Sequence, residues 1–155
     1  MQQLSTLSLV EHTGQTEFSQ ACSEIYFDGN PSGIVVPGKV LEAAFRVDED
    51  RYLIFTTDDV LFEESLTITL ISREQGVIEI AHLGGEYASG AFENASTDEE
   101  SVHFQFIDDV RWTVKISKSP HLRIPFLSDP RGVKRLSGLK TYMTFSTNPV
   151  SESVK

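Results

Sequence analysis

The first candidate for chemistry is a segment that alternates acidic pairs with apolar residues. It consists of Asp58, Asp59, Val60, Leu61, Phe62, Glu63 and Glu64. An apolar centre with a charged rim is typical of a surface that contacts another protein. The competing interpretation is a turn that buries Leu61 or Phe62, because apolar loop residues commonly pack into the core. The segment therefore predicts either a protein-interaction patch or a structural turn.

A second candidate is the basic connection over residues 117–140, which contains three prolines and two glycines. Its candidate anion-binding residues are Arg123, Arg131, Lys134 and Arg135. Arginine side chains clamp phosphate or carboxylate groups, and Gly132 would let backbone amides approach an anion. No P-loop or dinucleotide fingerprint occurs, and Phe126 alone could stack on a base. The connection therefore predicts, as an alternative, a carrier or enzyme for a small anionic ligand.

Nucleophilic and metal chemistry find little support in the residue spacing. Cys22 is the only cysteine, and its neighbours Ala21 and Ile25 favour a small buried side chain over a reactive thiol. The four histidines do not form any short metal-ligand motif. We therefore expect no catalytic residue, no metal and no cofactor. Whether the protein is an enzyme stays open, with a non-enzymatic role favoured.

Period-two alternation predicts that β-strands position these residues. The predicted strands cover 39–47, 51–56, 65–72, 77–83, 102–106, 110–116 and 139–146. The apolar run within 51–56 is continuous, which is typical of a strand buried on both faces. We predict an all-β fold, an antiparallel β-sandwich of about eight to ten strands. A partly open β-barrel is the alternative.

Near the N-terminus, the apolar residues also follow a helical spacing. They are Phe18, Ala21, Cys22, Ile25 and Tyr26. This spacing predicts one short helix, with Thr16 as its cap and Asp28 and Gly29 at its end, although the same residues also alternate tolerably as a strand. Residues 1–155 are predicted to be a single domain, with a long irregular connection at 117–140 and a frayed tail at 147–155.

Charge is distributed unevenly along the chain, whose net charge is -10. Residues 1–109 hold 21 of the 23 acidic residues and four of the 13 basic residues, which gives a net charge of −17. Residues 110–155 hold nine basic and two acidic residues, a net charge of +7. An acidic surface repels nucleic acid and steers basic partners towards it. The two regions could equally neutralise each other within one fold.

Three functional hypotheses follow from the charge and the two candidate sites. The first is an acidic domain that binds a basic protein, such as a nuclease or toxin that it neutralises. Such a role is similar to that of bacterial immunity proteins, a resemblance in size and charge alone. The second is the anionic-ligand carrier or enzyme, and the third is a structural protein that assembles through head-to-tail charge complementarity. Neither a secretion signal nor a membrane-spanning stretch is evident, so we expect a cytoplasmic protein. Its oligomeric state stays open.

Overall fold

The computed structural model describes residues 1–16, 18, 20–58, 65–84, 91–107, 110–122, 129–135 and 140–149. None of these residues is helical. The strands, in chain order, are β1 (Gln2–Gln3), β2 (Leu7–His12), β3 (Cys22–Phe27), β4 (Asn30–Pro37), β5 (Val40–Arg46), β6 (Arg51–Thr57), β7 (Ser65–Ser72), β8 (Gly76–Gly84), β9 (Glu93–Thr97), β10 (Ser101–Gln105), β11 (Val110–Leu122), β12 (Val133–Arg135) and β13 (Lys140–Pro149).

These strands form three antiparallel sheets. A central sheet has the order β1-β5-β6-β7-β8-β12, a four-stranded sheet the order β13-β11-β10-β9, and a three-stranded sheet the order β2-β3-β4. None of the three closes into a barrel among the described residues. The prediction of an all-β, sandwich-like antiparallel fold is therefore confirmed. Short strands such as β1 and β12 raise the number above that expected from the sequence.

The larger core lies between the central sheet and the four-stranded sheet. Phe55 on β6 meets Phe104 on β10 edge to face, with 5.3 Å between ring centroids. Trp112 on β11 is buried here, and its indole N–H donates to the carbonyl of Phe106 at 2.9 Å. The predicted strands 102–106 and 110–116 correspond to β10 and β11, which pair with each other. Asp108 and Asp109, which connect the two strands, lie outside the described residues.

A second core lies on the opposite face of the central sheet, against the three-stranded sheet. The rings of Phe27 on β3 and Tyr52 on β6 lie 5.0 Å apart, and Ile25 and Ile54 are fully buried in this core. Because side chains alternate across a strand, β6 supplies buried residues to both cores. The prediction that this strand is buried on both faces is confirmed.

The short helix predicted near the N-terminus is wrong, because Cys22–Phe27 forms strand β3. Its backbone pairs with β2 on one side and with β4 on the other. Ile25 and Phe27 lie two positions apart and both face the second core, as expected of a strand. Their burial between two sheets therefore favours a strand, although the spacing of the apolar residues was compatible with either a strand or a helix. Asp28 and Gly29 form a hairpin turn instead of a helix end. Their φ values of 52° and 81° match a type I′ turn.

Parts of the predicted irregular connection 117–140 form strands, and residues 123–128 and 136–139 of it lie outside the described residues. β11 continues to Leu122 and pairs with β13 across a register shift between Ile116 and His121. Pro120 falls within this irregular stretch, where a missing N–H is tolerated. β12 then pairs with β8 of the central sheet. Within the predicted tail, residues 147–149 still belong to β13, where Thr147 pairs with Trp112 of β11, and residues 150–155 lie outside the described residues.

Candidate functional site

The β5–β6 turn presents an acidic group on a rigid backbone. The carboxylate of Asp48 accepts hydrogen bonds from the backbone N–H of Asp50 at 3.0 Å and of Arg51 at 2.8 Å. Arg51 also donates through Nε at 2.7 Å. Partial burial raises the pKa of Asp48, but the hydrogen bonds from Arg51 and Asp50 outweigh it and lower the pKa below 3.8. Glu49, which lies between Asp48 and Asp50 in this turn, is exposed to solvent.

The β9–β10 turn repeats this design. The carboxylate of Asp98 accepts hydrogen bonds from the backbone N–H of Glu100 at 3.0 Å and of Ser101 at 2.9 Å. His103 Nε2 lies 2.9 Å from the same carboxylate. The hydrogen bond with His103, followed by that from Glu100, lowers the pKa of Asp98 below 3.8. Glu99 is exposed in the middle of the turn, as Glu49 is in the other.

Two further turns join the first at the same end of the molecule. The carboxylate of Asp50 accepts a hydrogen bond from the backbone N–H of Glu74, in the β7–β8 turn, at 3.1 Å. The neighbouring Arg73 places its guanidinium over the ring of Phe27, 4.2 Å from the centroid. Because Phe27 directly precedes Asp28, this contact brings the β3–β4 turn beside the other two.

The chain start connects the β9–β10 turn to this group. The amino group of Met1 donates to the carbonyls of Asp98 at 3.1 Å and Glu99 at 3.3 Å, while β1 pairs with β5 near the β5–β6 turn. We call this surface the acidic end. Its carboxylates are Asp28, Asp48, Glu49, Asp50, Glu74, Asp98, Glu99 and Glu100. Its cations are the amino terminus, Arg46, Arg51, Arg73 and Lys115.

A different polar group lies towards the far ends of β6 and β7, which we call the histidine cluster. Its members are Gln20, Asp58, Thr67, His82 and Lys134. Gln20 Nε2 donates to both carboxylate oxygens of Asp58, at 3.1 and 3.0 Å. His82 Nδ1 lies 3.0 Å from the hydroxyl of Thr67, and Lys134 on β12 is the register partner of His82 on β8.

Burial controls the charge of the histidine cluster. Desolvation of His82 lowers its pKa below 6.5, and the nearby Lys134 lowers it further, while Asp58 acts in the opposite direction. The imidazole is therefore neutral at pH 7. Thr67 is only 1% exposed, so its hydroxyl is not accessible to a substrate, and a Thr-His-Asp nucleophile is excluded.

An open cavity of about 420 Å³ lies beside the cluster and shares Gln20 with it. Its lining includes His12, Thr16 and Cys22. Cys22 is buried, as its neighbours predict, and its thiol donates to the carbonyl of Gln20 at 3.3 Å. The hydroxyl of Thr16, predicted as a helix cap, accepts a hydrogen bond from the backbone N–H of Phe18 at 3.2 Å instead.

Arg135 of the predicted anion-binding set is committed to contacts within the chain. Its side chain is 5% exposed. The guanidinium binds both carboxylate oxygens of Asp129, at 2.8 and 2.9 Å, and a carboxylate oxygen of Glu79 at 2.8 Å. It also donates to the carbonyl of Met143 at 2.8 Å and lies 5.1 Å from the ring centroid of Phe145. These contacts tie β12 to β8 and β13.

The two predicted sites are only partly described. Asp59, Val60, Leu61, Phe62, Glu63, Glu64 and Arg123 lie outside the described residues. Arg131 and Lys134 are exposed, whereas Asp58 is half-buried. The structure brings Asp58 and Lys134, which belong to different predicted sites, to the same histidine. Thr67 and His82 lie in the predicted strands 65–72 and 77–83, and antiparallel pairing of these neighbouring strands was the signal that could have placed the two residues opposite each other.

Comparisons with protein-family models, curated proteins and solved structures find no match to this chain. Within the described ranges, no group of three or more histidine, cysteine or acidic side chains is arranged to hold a metal ion. The same ranges contain no helix with the length and apolar character needed to cross a membrane. The site must therefore be interpreted from its own geometry.

Proposed function

We propose that this protein is a cytoplasmic interaction domain that binds a basic partner protein through its acidic end. The observation that carries the proposal is the position of four exposed carboxylates: Asp28, Glu49, Glu74 and Glu99. They come from turns of all three sheets, and none of them forms an ion pair with a described residue. They are therefore available to a partner.

The turn geometry supports a binding role because it reduces the entropic cost of association. Asp48 and Asp98 use their carboxylates to fix the turn backbones, so Glu49 and Glu99 project from ordered positions. Preorganised groups lose less freedom on binding than flexible ones. Exposed charges of one sign also accelerate the encounter with a basic protein, most strongly at low salt. A nuclease or toxin that the domain neutralises, as in immunity proteins, would present such a basic surface.

The other two hypotheses receive less support from the geometry. A clamp for an anionic ligand would lose Arg135, because Asp129 and Glu79 already neutralise its guanidinium. Head-to-tail assembly requires free basic groups in residues 110–155, and two of the nine there, Arg135 and Lys115, pair with acidic residues of their own chain. None of the ion pairs between described residues involves the four exposed carboxylates Asp28, Glu49, Glu74 and Glu99.

Comparative affinity capture would test the proposal. Three forms of the protein are immobilised and exposed to source lysate at low salt: the natural chain, a Glu49→Lys/Glu99→Lys variant, and a Glu11→Lys/Glu93→Lys control. The two variants change the net charge equally, and Glu11 and Glu93 are exposed carboxylates outside the acidic end. We expect the natural chain and the control to retain the same basic protein, which rising salt elutes, and the acidic-end variant to lose it.

Two results would contradict the proposal. Equal retention of the partner by both variants would show that the acidic end is not the contact surface. Recovery of the natural chain without any partner would instead favour a small anionic ligand. A shift of the melting temperature by phosphate or carboxylate metabolites would then identify that ligand class.

A further inference from the structure

We propose that His82 is a pH-sensitive switch that holds the segment around Gln20 closed at neutral pH and releases it on acidification. The segment connects β2 to β3 and lines the cavity that contains Cys22. The proposal is independent of the binding role of the acidic end, because it concerns the opposite part of the molecule.

In the closed arrangement, the uncharged side-chain amide of Gln20 attaches the segment to Asp58, which follows strand β6 of the central sheet. The side-chain amide of Gln20 donates to both oxygens of Asp58 and lies 3.5 Å from the hydroxyl of Thr67. That hydroxyl also meets His82 Nδ1 at 3.0 Å. Asp58 accepts both of the hydrogen bonds from the Gln20 amide, and its negative charge also favours the protonated form of His82.

Protonation of His82 changes which partner Asp58 prefers. A charged donor forms a stronger hydrogen bond with a carboxylate than a neutral amide does. The imidazolium would therefore compete with Gln20 for Asp58, and the segment would lose its attachment to the central sheet. The backbone of β12, which carries Lys134, is held in place because the adjacent Arg135 ties this strand to β8 and β13. The movable element is therefore the Gln20 segment.

Among the described residues, the charged groups that influence the pKa of His82 are Asp58 and Lys134. Asp58 follows β6 and attracts the proton, whereas Lys134 on β12 repels it. On β7 the facing residue is Thr67, whose side chain carries no charge, and the cavity beside the Gln20 segment is also lined by His12 at the end of β2 and Cys22 at the start of β3. β4, which also contacts β7 and β8, carries no titratable side chain.

The direction of the effect follows from proton linkage. Burial lowers the pKa of His82 below 6.5 in the closed state, whereas hydration in an open state restores its ordinary value. The open state therefore binds the proton more tightly, and opening becomes easier as the pH falls below 6.5. Each pKa unit that separates the two states changes the opening equilibrium by up to about tenfold.

The single cysteine and the single tryptophan of the chain can report separately on local opening and on global unfolding. Cys22 is the only cysteine, is 4% exposed and contacts the Gln20 segment, so its reaction with a pyridyl disulfide measures opening. Trp112 is the only tryptophan and is buried in the other core, so its fluorescence measures global unfolding. Rates are compared at about pH 7.5 and about pH 5.5, on either side of the ordinary histidine pKa. Each rate is divided by that of the unfolded chain at the same pH.

We expect the normalised labelling rate of Cys22 to rise severalfold at the lower pH, with unchanged Trp112 emission. His82→Gln, which keeps a polar partner for Thr67, should abolish the rise. Gln20→Ala should label rapidly at both pH values, because it removes the attachment. The proposal is overturned by an unchanged rate in the natural chain, by an equal rise in His82→Gln, by protection in Gln20→Ala, or by a rise that accompanies a shift in Trp112 emission.

Discussion

The acidic end and the histidine cluster use the same residue types under opposite conditions of burial. At the acidic end, exposed carboxylates are positioned by backbone N–H groups of tight turns. In the histidine cluster, half-buried Asp58 and His82 are bound by neutral side chains. Solvated charges at the first surface are available to a partner at little structural cost. Desolvated groups in the cluster couple their protonation to conformation.

The largest loss of stability is expected from replacing Arg135, which holds β12 beside the histidine cluster. Arg135→Met removes the cation that neutralises Glu79 and Asp129, and no comparably buried arginine exists among the described ion pairs of the acidic end. Removing this cation from Glu79, whose side chain is 11% exposed, should reduce the free energy of unfolding by about 3–5 kcal/mol in urea titrations. Arg131→Met, at an exposed position on the same connection, should change it by less than about 0.5 kcal/mol. Similar values for both variants would contradict the account.

Alanine substitutions at two glycines would compare backbone crowding near the histidine cluster with that at the acidic end. Gly38, near the histidine cluster, has φ of 117°, and an added Cβ would overlap the Thr56 hydroxyl. Gly76, at the acidic end, has φ of 87° with open space around its position. Gly38→Ala should therefore lower the free energy of unfolding by about 3 kcal/mol, and Gly76→Ala by about 1 kcal/mol. Thermal or urea unfolding checks the order, and a costlier Gly76→Ala would reverse it.

Acidification should weaken the acidic end through its turn aspartates. The lowered pKa values of Asp48 and Asp98 mean that their stabilisation is present above pH 3.8 and is lost as the pH falls through the lowered values. Asp48→Asn should lose about 1 kcal/mol or less at neutral pH, because the group is largely exposed. The difference from the natural chain should shrink at about pH 3, as urea titrations at both pH values would reveal. A difference in the free energy of unfolding that does not change with pH would contradict stabilisation of the turn by the Asp48 carboxylate.

The smallest effect is expected for the two projecting glutamates. Glu49→Lys and Glu99→Lys should each change the free energy of unfolding by less than about 0.5 kcal/mol, because neither side chain has an ion-pair partner among the described residues. Thermal unfolding provides the measurement. A large loss would mean that these residues stabilise the fold, and loss of binding in the double variant would then have a structural cause.

Local alternation was sufficient to predict much of the fold. The strands β5 to β8 follow the predicted segments closely, and the continuous apolar run of β6 indicated burial on both faces. The helix error arose because a six-residue strand satisfies both spacings. Asp28 and Gly29, flanked by alternating residues, were the hairpin signal that would have favoured the strand.

The spatial arrangement of the charges required the tertiary structure. The acidic turns at Asp48 and Asp98 are visible in the sequence as separate acidic runs, but their convergence depends on how the sheets pack. Arg135 lies 56 positions from Glu79, and Gln20 lies 38 positions from Asp58. No local spacing encodes such pairs. The basic connection therefore resembled a free anion site in the sequence, although one of its arginines is neutralised within the fold.

The most direct test is the association rate of the captured partner, measured at low and high salt against three immobilised forms. These are the natural chain, Glu49→Lys/Glu99→Lys and Glu11→Lys/Glu93→Lys. Binding through the acidic end predicts that the first variant loses most of the low-salt rate and of its salt dependence, while the control keeps most of both. Equal rates and salt dependences for the two variants would contradict the central claim, because charge would then act without regard to its position.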